Sequence, residues 1–158
     1  MAFEICFTGD PNEFLDDDPT IPSAIGLIRV GSLEENFVSS LYEWSKEDYE
    51  AQWLSSLRGF VSGSDRAVLI TWYVNCKESS NLQWWALYRG ESSIVHVQSH
   101  MPWCRNFTRE FLVEEASSFL HDRITVNEDE NRISEWDVPV GEVEAFVERL
   151  ASRVVATA

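Results

Sequence analysis

The sequence is poor in positive charge. Its 158 residues contain 12 Lys and Arg against 27 Asp and Glu, so the formal net charge is −15. Such a charge repels nucleic acid and anionic membranes at long range and attracts basic partners. We therefore expect no direct contact with nucleic acid and no membrane association, although acidity of this kind also serves solubility alone.

A long apolar run is also missing. No segment approaches the roughly 20 apolar residues that a membrane-spanning helix needs. The first ten residues, MAFEICFTGD, contain neither the basic region nor the apolar region of a secretory signal. These features predict a cytoplasmic protein.

Residues suited to chemistry are few. Three cysteines, Cys6, Cys76 and Cys104, lack paired spacing and predict free thiols in a reducing compartment. His96 and His100 would face one metal ion only on a helix, and His96 falls in a predicted strand. The seven glycines are scattered and form no phosphate-binding loop. We expect no metal, no cofactor and no catalysis; a nucleophile built from Cys104 and His100 is the enzymatic alternative.

Apolar residues make up 44% of the chain and aromatic residues 13%, which is enough for a packed core. The length suits one domain, residues 1–158. Strands occur in a run bracketed by helices, a pattern typical of an α+β domain with an antiparallel sheet and about three helices. The predicted elements are strands near 3–8, 24–30, 36–42, 66–74, 82–89 and 92–99, helices over 45–61, 108–121 and from about 139, and an acidic loop over 9–22.

The helix over 45–61 has the clearest start. Ser45 is the expected N-cap and Asp48 completes a capping box. Trp44 precedes the cap and is expected to close over the first turn.

Three segments carry a family resemblance. LYEWSKEDYEAQWLSSL at 41–57, WWALYRGESSIVHVQSH at 84–100 and RISEWDV at 132–138 resemble, in order and spacing, the CdiI immunity proteins of bacterial contact-dependent growth inhibition (CDI) systems. The similar region spans roughly residues 37–150. The matching positions are expected to define the fold: Trp44, Asp48, Tyr49, Trp53, Trp85, Tyr88, Gln98, Ser134, Glu135 and Trp136.

The resemblance implies a function without catalysis. Such a protein binds the C-terminal toxin domain of a CDI effector and blocks its active or substrate-binding surface. The expected toxin is a nuclease, and a nuclease must present cationic side chains to the phosphates of its substrate. An acidic inhibitor is attracted to such a surface and therefore associates with it faster. The candidate toxin-binding residues are Asp16, Asp17, Asp18, Glu34, Glu35, Trp103, Glu128, Asp129 and Glu130.

The aromatic residues of the predicted strands leave a third class of function open. Trp84, Trp85 and Tyr88 would suit a module that stacks on single-stranded nucleic acid, but the sequence has no evident basic groove. A core role for these aromatic residues is therefore favoured over a stacking platform.

Overall fold

The structure is a computed structural model that describes residues 2–8, 14–15 and 18–157, with side chains described at 2–8 and 22–154. This part of the chain folds into strands and helices that confirm the α+β class. No helix in the described ranges is both long and apolar enough to cross a membrane. The elements are β1 (Phe3–Phe7), β2 (Phe14–Leu15), β3 (Asp18–Val30), β4 (Leu33–Ser40), α1 (Lys46–Val61), β5 (Arg66–Trp72), β6 (Gln83–Arg89), β7 (Ile94–His100), β8 (Trp136–Pro139), α2 (Val140–Thr157) and 3₁₀ helices at Cys104–Asn106 and Val113–Phe119.

The strands divide into two antiparallel sheets, a division that the sequence did not predict. In the first sheet β3 lies between β1 and β4, and β2 pairs with the beginning of β3. The second sheet has the order β5-β6-β7-β8, so each strand pairs with its neighbour in the chain. The prediction of three consecutive antiparallel strands between residues 66 and 100 is confirmed.

One buried cluster joins both sheets and both α-helices. Phe3 of β1 meets Phe146 of α2 edge to face, with 5.5 Å between ring centroids. Val143, Phe146 and Leu150 are each at most 1% exposed, so α2 turns one face to the core as its apolar spacing predicted.

Side chains of α1 bind the free edge of β5. Gln52 donates to the Val68 carbonyl at 2.8 Å and accepts from the Ile70 amide at 2.9 Å. Trp53 Nε1 donates to the Ile70 carbonyl at 2.7 Å, and Ser56 Oγ accepts from the Val68 amide at 2.9 Å. The helix thus satisfies backbone groups that would otherwise be an open sheet edge.

The predicted start of α1 is confirmed. Ser45 Oγ accepts from the Asp48 amide at 3.2 Å, and Asp48 Oδ2 accepts from the Ser45 amide at 2.9 Å. The Trp44 ring lies 5.0 Å from the Tyr49 ring, the N′ to N4 contact of a hydrophobic staple.

The predicted acidic loop over 9–22 is wrong where the structure describes it. Leu15 pairs with Asp18 and Phe14 with Pro22, so residues 14–15 and 18–22 are strand. Proline and glycine suggested a loop, but residues 18–22 lie beyond the part of β3 that β1 and β4 flank, where a strand tolerates proline. Residues 9–13 and 16–17 lie outside the described part.

The helix predicted over 108–121 is also wrong as an α-helix. The chain forms a 3₁₀ helix at Val113–Phe119 that is interrupted at Glu115, whose φ is −113° and ψ is 18°. Phe107 and Phe111 stack on Trp84 of the second sheet at 6.2 and 6.0 Å. Aromatic contacts with the sheet determine the conformation of this segment. Its apolar residues follow the spacing typical of an α-helix only by coincidence.

Candidate functional site

Polar side chains collect on one face of the second sheet. Because side chains alternate along a strand, His96, Gln98 and His100 of β7 share a face. The neighbouring strands place Tyr88 and Asp137 directly opposite His96. The segment between β7 and β8 covers this face.

A hydrogen-bonded network joins two positions of the family motifs to this covering segment. Glu135 accepts from Arg123 Nε at 2.8 Å and Nη2 at 2.5 Å, and from Gln98 Nε2 at 2.7 Å. These donors, chiefly Arg123, lower the pKa of the Glu135 carboxyl. Gln98 Nε2 also donates to the Ile124 carbonyl at 2.9 Å. The network therefore fastens the covering segment to β7.

His100 continues the network toward the interior. Its Nε2 lies 2.9 Å from Gln98 Oε1. An amide oxygen only accepts, so His100 carries a proton on Nε2 and donates it. Burial, and then the nearby His121 imidazole, lower the pKa of His100 to about 4. His100 is therefore a neutral structural donor at neutral pH.

His96 has different neighbours from those that the sequence suggested. Residues four apart in a strand are separated by about 13 Å, so His96 and His100 do not share an ion. Instead His96 Nδ1 lies 2.7 Å from Asp137 Oδ1 and 3.5 Å from Glu135 Oε1. The alternation of Glu135 and Asp137 was the signal in the sequence, since it puts both carboxylates on the face beside β7.

The prediction of three free thiols is wrong. Cys76 and Cys104 form a disulfide with 5.6 Å between their Cα atoms, and Cys6 is the free thiol of the described chain. The loop after β5 meets the segment after β7, where the Cys104 amide donates to the Ser80 carbonyl at 2.9 Å. A bonded Cys104 sulfur is no nucleophile, and cysteine usage no longer argues for a reducing compartment.

Trp103 has more cationic than acidic neighbours. Its side chain is 44% exposed, and the Arg105 guanidinium lies 5.1 Å from its ring centroid. Lys77, Arg109 and one acid, Glu110, line the same cavity of about 540 Å³ beside the disulfide. This neighbourhood opposes a basic partner.

Two of the acidic candidates lie at the beginning of β4. Glu34 and Glu35 are exposed, and Glu34 forms an ion pair with Arg29 at 3.5 Å. Glu35 lines a groove together with Met101. Asp16 and Asp17 lie outside the described residues, and Asp18 begins β3 without a described side chain.

The remaining acids form a compact turn. Glu128, Asp129 and Glu130 are exposed on a turn that the bridge between Val126 and Arg132 closes. Asn127 Oδ1 accepts from the amides of residues 129 and 131 at 2.9 and 3.0 Å, which shapes the turn. Ile124 and Val126, 43% and 50% exposed, are close to it in sequence. Acidic and exposed apolar side chains therefore occur together here; we call residues 124–132 the acidic turn.

Fold and network define a small two-sheet α+β protein with exposed acidic surfaces. Residues 39–146 match the model of the CdiI N-terminal domain, and the chain belongs to that family, which confirms the resemblance. Immunity protein CdiI of Enterobacter cloacae subsp. cloacae is 26% identical over 151 residues, 94% of this chain and 98% of that protein. A chain of the CdiA-CT/CdiI toxin and immunity complex from Enterobacter cloacae superposes with a TM-score of 0.84 at 25% identity, covering 95% of this chain and 99% of that chain.

Proposed function

We propose that this chain is an immunity protein that binds the C-terminal toxin domain of a CdiA effector and neutralises it without catalysis. The observation that carries the proposal is the match over 95% of the chain, at a TM-score of 0.84, to a chain of a toxin and immunity complex. Family membership over residues 39–146 supports it independently. The protein acts as a cover over the toxin's active or substrate-binding surface.

In this proposal the toxin is a basic nuclease, and the immunity protein binds it in the cytoplasm. A net charge of −15 favours encounter with a cationic surface and raises association rates by about 10- to 1,000-fold at low salt. The structure has a disulfide between Cys76 and Cys104, whereas a reducing cytoplasm keeps protein thiols reduced. The redox state of this pair can therefore differ between the assay and the cell. Binding is therefore to be measured with and without reductant.

The acidic turn is the surface that we assign to the toxin. Rim charges set the association rate, whereas buried apolar anchors set most of the affinity. Among the described candidates the turn has three acids and two exposed apolar side chains, Ile124 and Val126, whereas Glu35 shares its groove with one, Met101. Trp103 has an anchor's size but cationic neighbours, and Glu34 is paired with Arg29.

The experiment combines the protein with the toxin domain encoded beside it. Calorimetry should show a stoichiometric complex, and cells that express the toxin should survive when this chain is present. Absence of both results would refute the immunity proposal. The assay needs an intact toxin that kills cells on its own.

Surface variants then locate the interface. Changing Glu128, Asp129 and Glu130 together to Gln, Asn and Gln should slow association about 10-fold at low salt. The matched control changes Glu34 and Glu35 to Gln, which removes acids of similar exposure. A slower rate in the control alone would move the interface to β4. Changing Asp16, Asp17 and Asp18 to Asn tests the remaining candidates in the same way.

One observation favours the second candidate, a module for single-stranded nucleic acid. Lys77, Arg105 and Arg109 line one cavity with the exposed ring of Trp103, a grouping that the sequence did not reveal. The net charge of −15 opposes this function. A gel shift at low salt that gives binding tighter than about 1 µM and is lost in Arg105→Gln would favour it.

A further inference from the structure

His96, Glu135 and Asp137 bring three ligand atoms to one point of the surface. The atoms are His96 Nδ1, Glu135 Oε1 and Asp137 Oδ1, and all lie within 4.8 Å of one another. We propose that this cluster binds a divalent transition-metal ion of the zinc type. The inference is independent of the proposed toxin partner.

The distances suit such an ion after a small adjustment. Zinc bonds to nitrogen and oxygen are about 2.0–2.2 Å, so neighbouring ligand atoms of a tetrahedral site lie about 3.3 Å apart. His96 Nδ1 is 2.7 Å from Asp137 Oδ1 and 3.5 Å from Glu135 Oε1, on either side of that value. The Asp137 side chain is 57% exposed, whereas those of His96 and Glu135 are 18% and 15% exposed. The ion therefore enters from the Asp137 side, where water completes its coordination.

The backbone and neighbouring side chains hold the ligands in place. His96 and Asp137 are directly paired residues of β7 and β8, and strands position ligands more firmly than loops do. A Cβ atom at Gly90 would lie 2.4 Å from His96 Nε2, so only glycine there admits this ring position. Gln98 holds the other oxygen of Glu135, which is the outer support that metal ligands usually have.

Charge decides which ion fits and how tightly it binds. Two carboxylates face one guanidinium, that of Arg123, so with a neutral imidazole the cluster has one uncompensated negative charge. An imidazole ligand favours zinc-like ions over Mg²⁺ and Ca²⁺. His96 Nδ1 donates its proton to Asp137 Oδ1 when no ion is bound, so the ion displaces that proton and the imidazole keeps or takes one on Nε2 instead. The Arg123 guanidinium opposes the ion because both use Glu135 Oε1. Binding is therefore moderate, in the micromolar range by order of magnitude, and weakens in acid.

Titration calorimetry with ZnCl₂ on metal-free protein tests the proposal, with Cys6→Ser as the background and no reductant present. We expect one site with a Kd in the micromolar range. His96→Gln and Asp137→Asn should each weaken binding at least tenfold, whereas His121→Gln, at an exposed histidine outside the cluster, should leave it unchanged.

Arg123→Gln gives the opposite test, because removing the competing cation should tighten binding at least tenfold. Imidazole NMR signals should show His96, and not His121, shifting on addition of zinc, while circular dichroism checks the fold of each variant. No saturable binding up to about 1 mM zinc, or binding that His96→Gln and Asp137→Asn leave intact, would overturn the site.

Discussion

Acid should destabilise this protein through His100, and the cause can be isolated. The pKa of His100 is lowered from 6.5 to about 4, chiefly because the imidazole is buried. Between these two pH values the unfolded chain takes up a proton that the folded protein does not. Stability from this residue is therefore complete above about pH 7 and is lost as the pH falls toward 4.

The size of the effect follows from the two pKa values. A difference of about 2.5 pKa units corresponds to a ceiling of about 3.4 kcal/mol in strong acid, and to about 2 kcal/mol at pH 5. Partial contact of the His100 ring with solvent lowers the expected loss at pH 5 to about 1–2 kcal/mol. The pKa of Glu135 is also lowered, so the stability that this carboxylate contributes is lost in acid too. That loss is common to the wild-type protein and the variant.

The measurement is urea unfolding of the wild-type protein and His100→Gln at pH 7.5 and pH 5, followed by tryptophan fluorescence. Gln keeps a donor for Gln98 and cannot take up a proton. We expect the wild-type protein to lose about 1–2 kcal/mol more than the variant between these pH values. His121→Gln, at an exposed imidazole, should retain most of the wild-type acid loss. Equal losses in the wild-type protein and His100→Gln would refute the assignment.

Three further predictions concern the fold. Gln52→Ala should lower the free energy of unfolding by about 2–4 kcal/mol, because two buried backbone groups of β5 lose their partner, whereas Ser55→Ala on the exposed side of the same helix should change it by less than about 0.5 kcal/mol. Ser45→Ala should cost about 1 kcal/mol in urea unfolding, since it removes the N-cap of α1. Cys76→Ser should cost about 3–4 kcal/mol under oxidising conditions through the lost loop constraint, and thiol titration of the unfolded, unreduced wild-type protein should find one thiol.

Local signals predicted the fold well where one interaction decided the outcome. The capping box of Ser45 and Asp48 and the alternation over residues 66–100 each predicted an element that the structure contains. Prediction failed where contacts between residues far apart in the sequence determine the local structure. Phe107 and Phe111 keep their segment near Trp84 rather than in an α-helix, and β2 draws residues 18–22 into a strand.

The candidate site was less accessible to sequence reasoning because it depends on contacts between strands. His96 and Asp137 are 41 residues apart in the chain, yet they are direct partners across β7 and β8. The pairing of Cys76 with Cys104 likewise requires knowing that two loops meet at one end of the second sheet. Sequence alone supplied the residue types, and topology supplied their neighbours.

Buried and exposed residues of this protein differ in how much a substitution would disturb the fold. Tyr49, Trp53 and Gln98 are buried and bind backbone or network groups, so substitutions there would disturb the fold itself. The side chains of Glu128 and Asp129, by contrast, are exposed and make no hydrogen bond within the described residues. Substitution at such positions costs little stability. If the acidic turn meets the toxin, its residues can therefore be exchanged to suit a different toxin while the buried network keeps the same two-sheet framework.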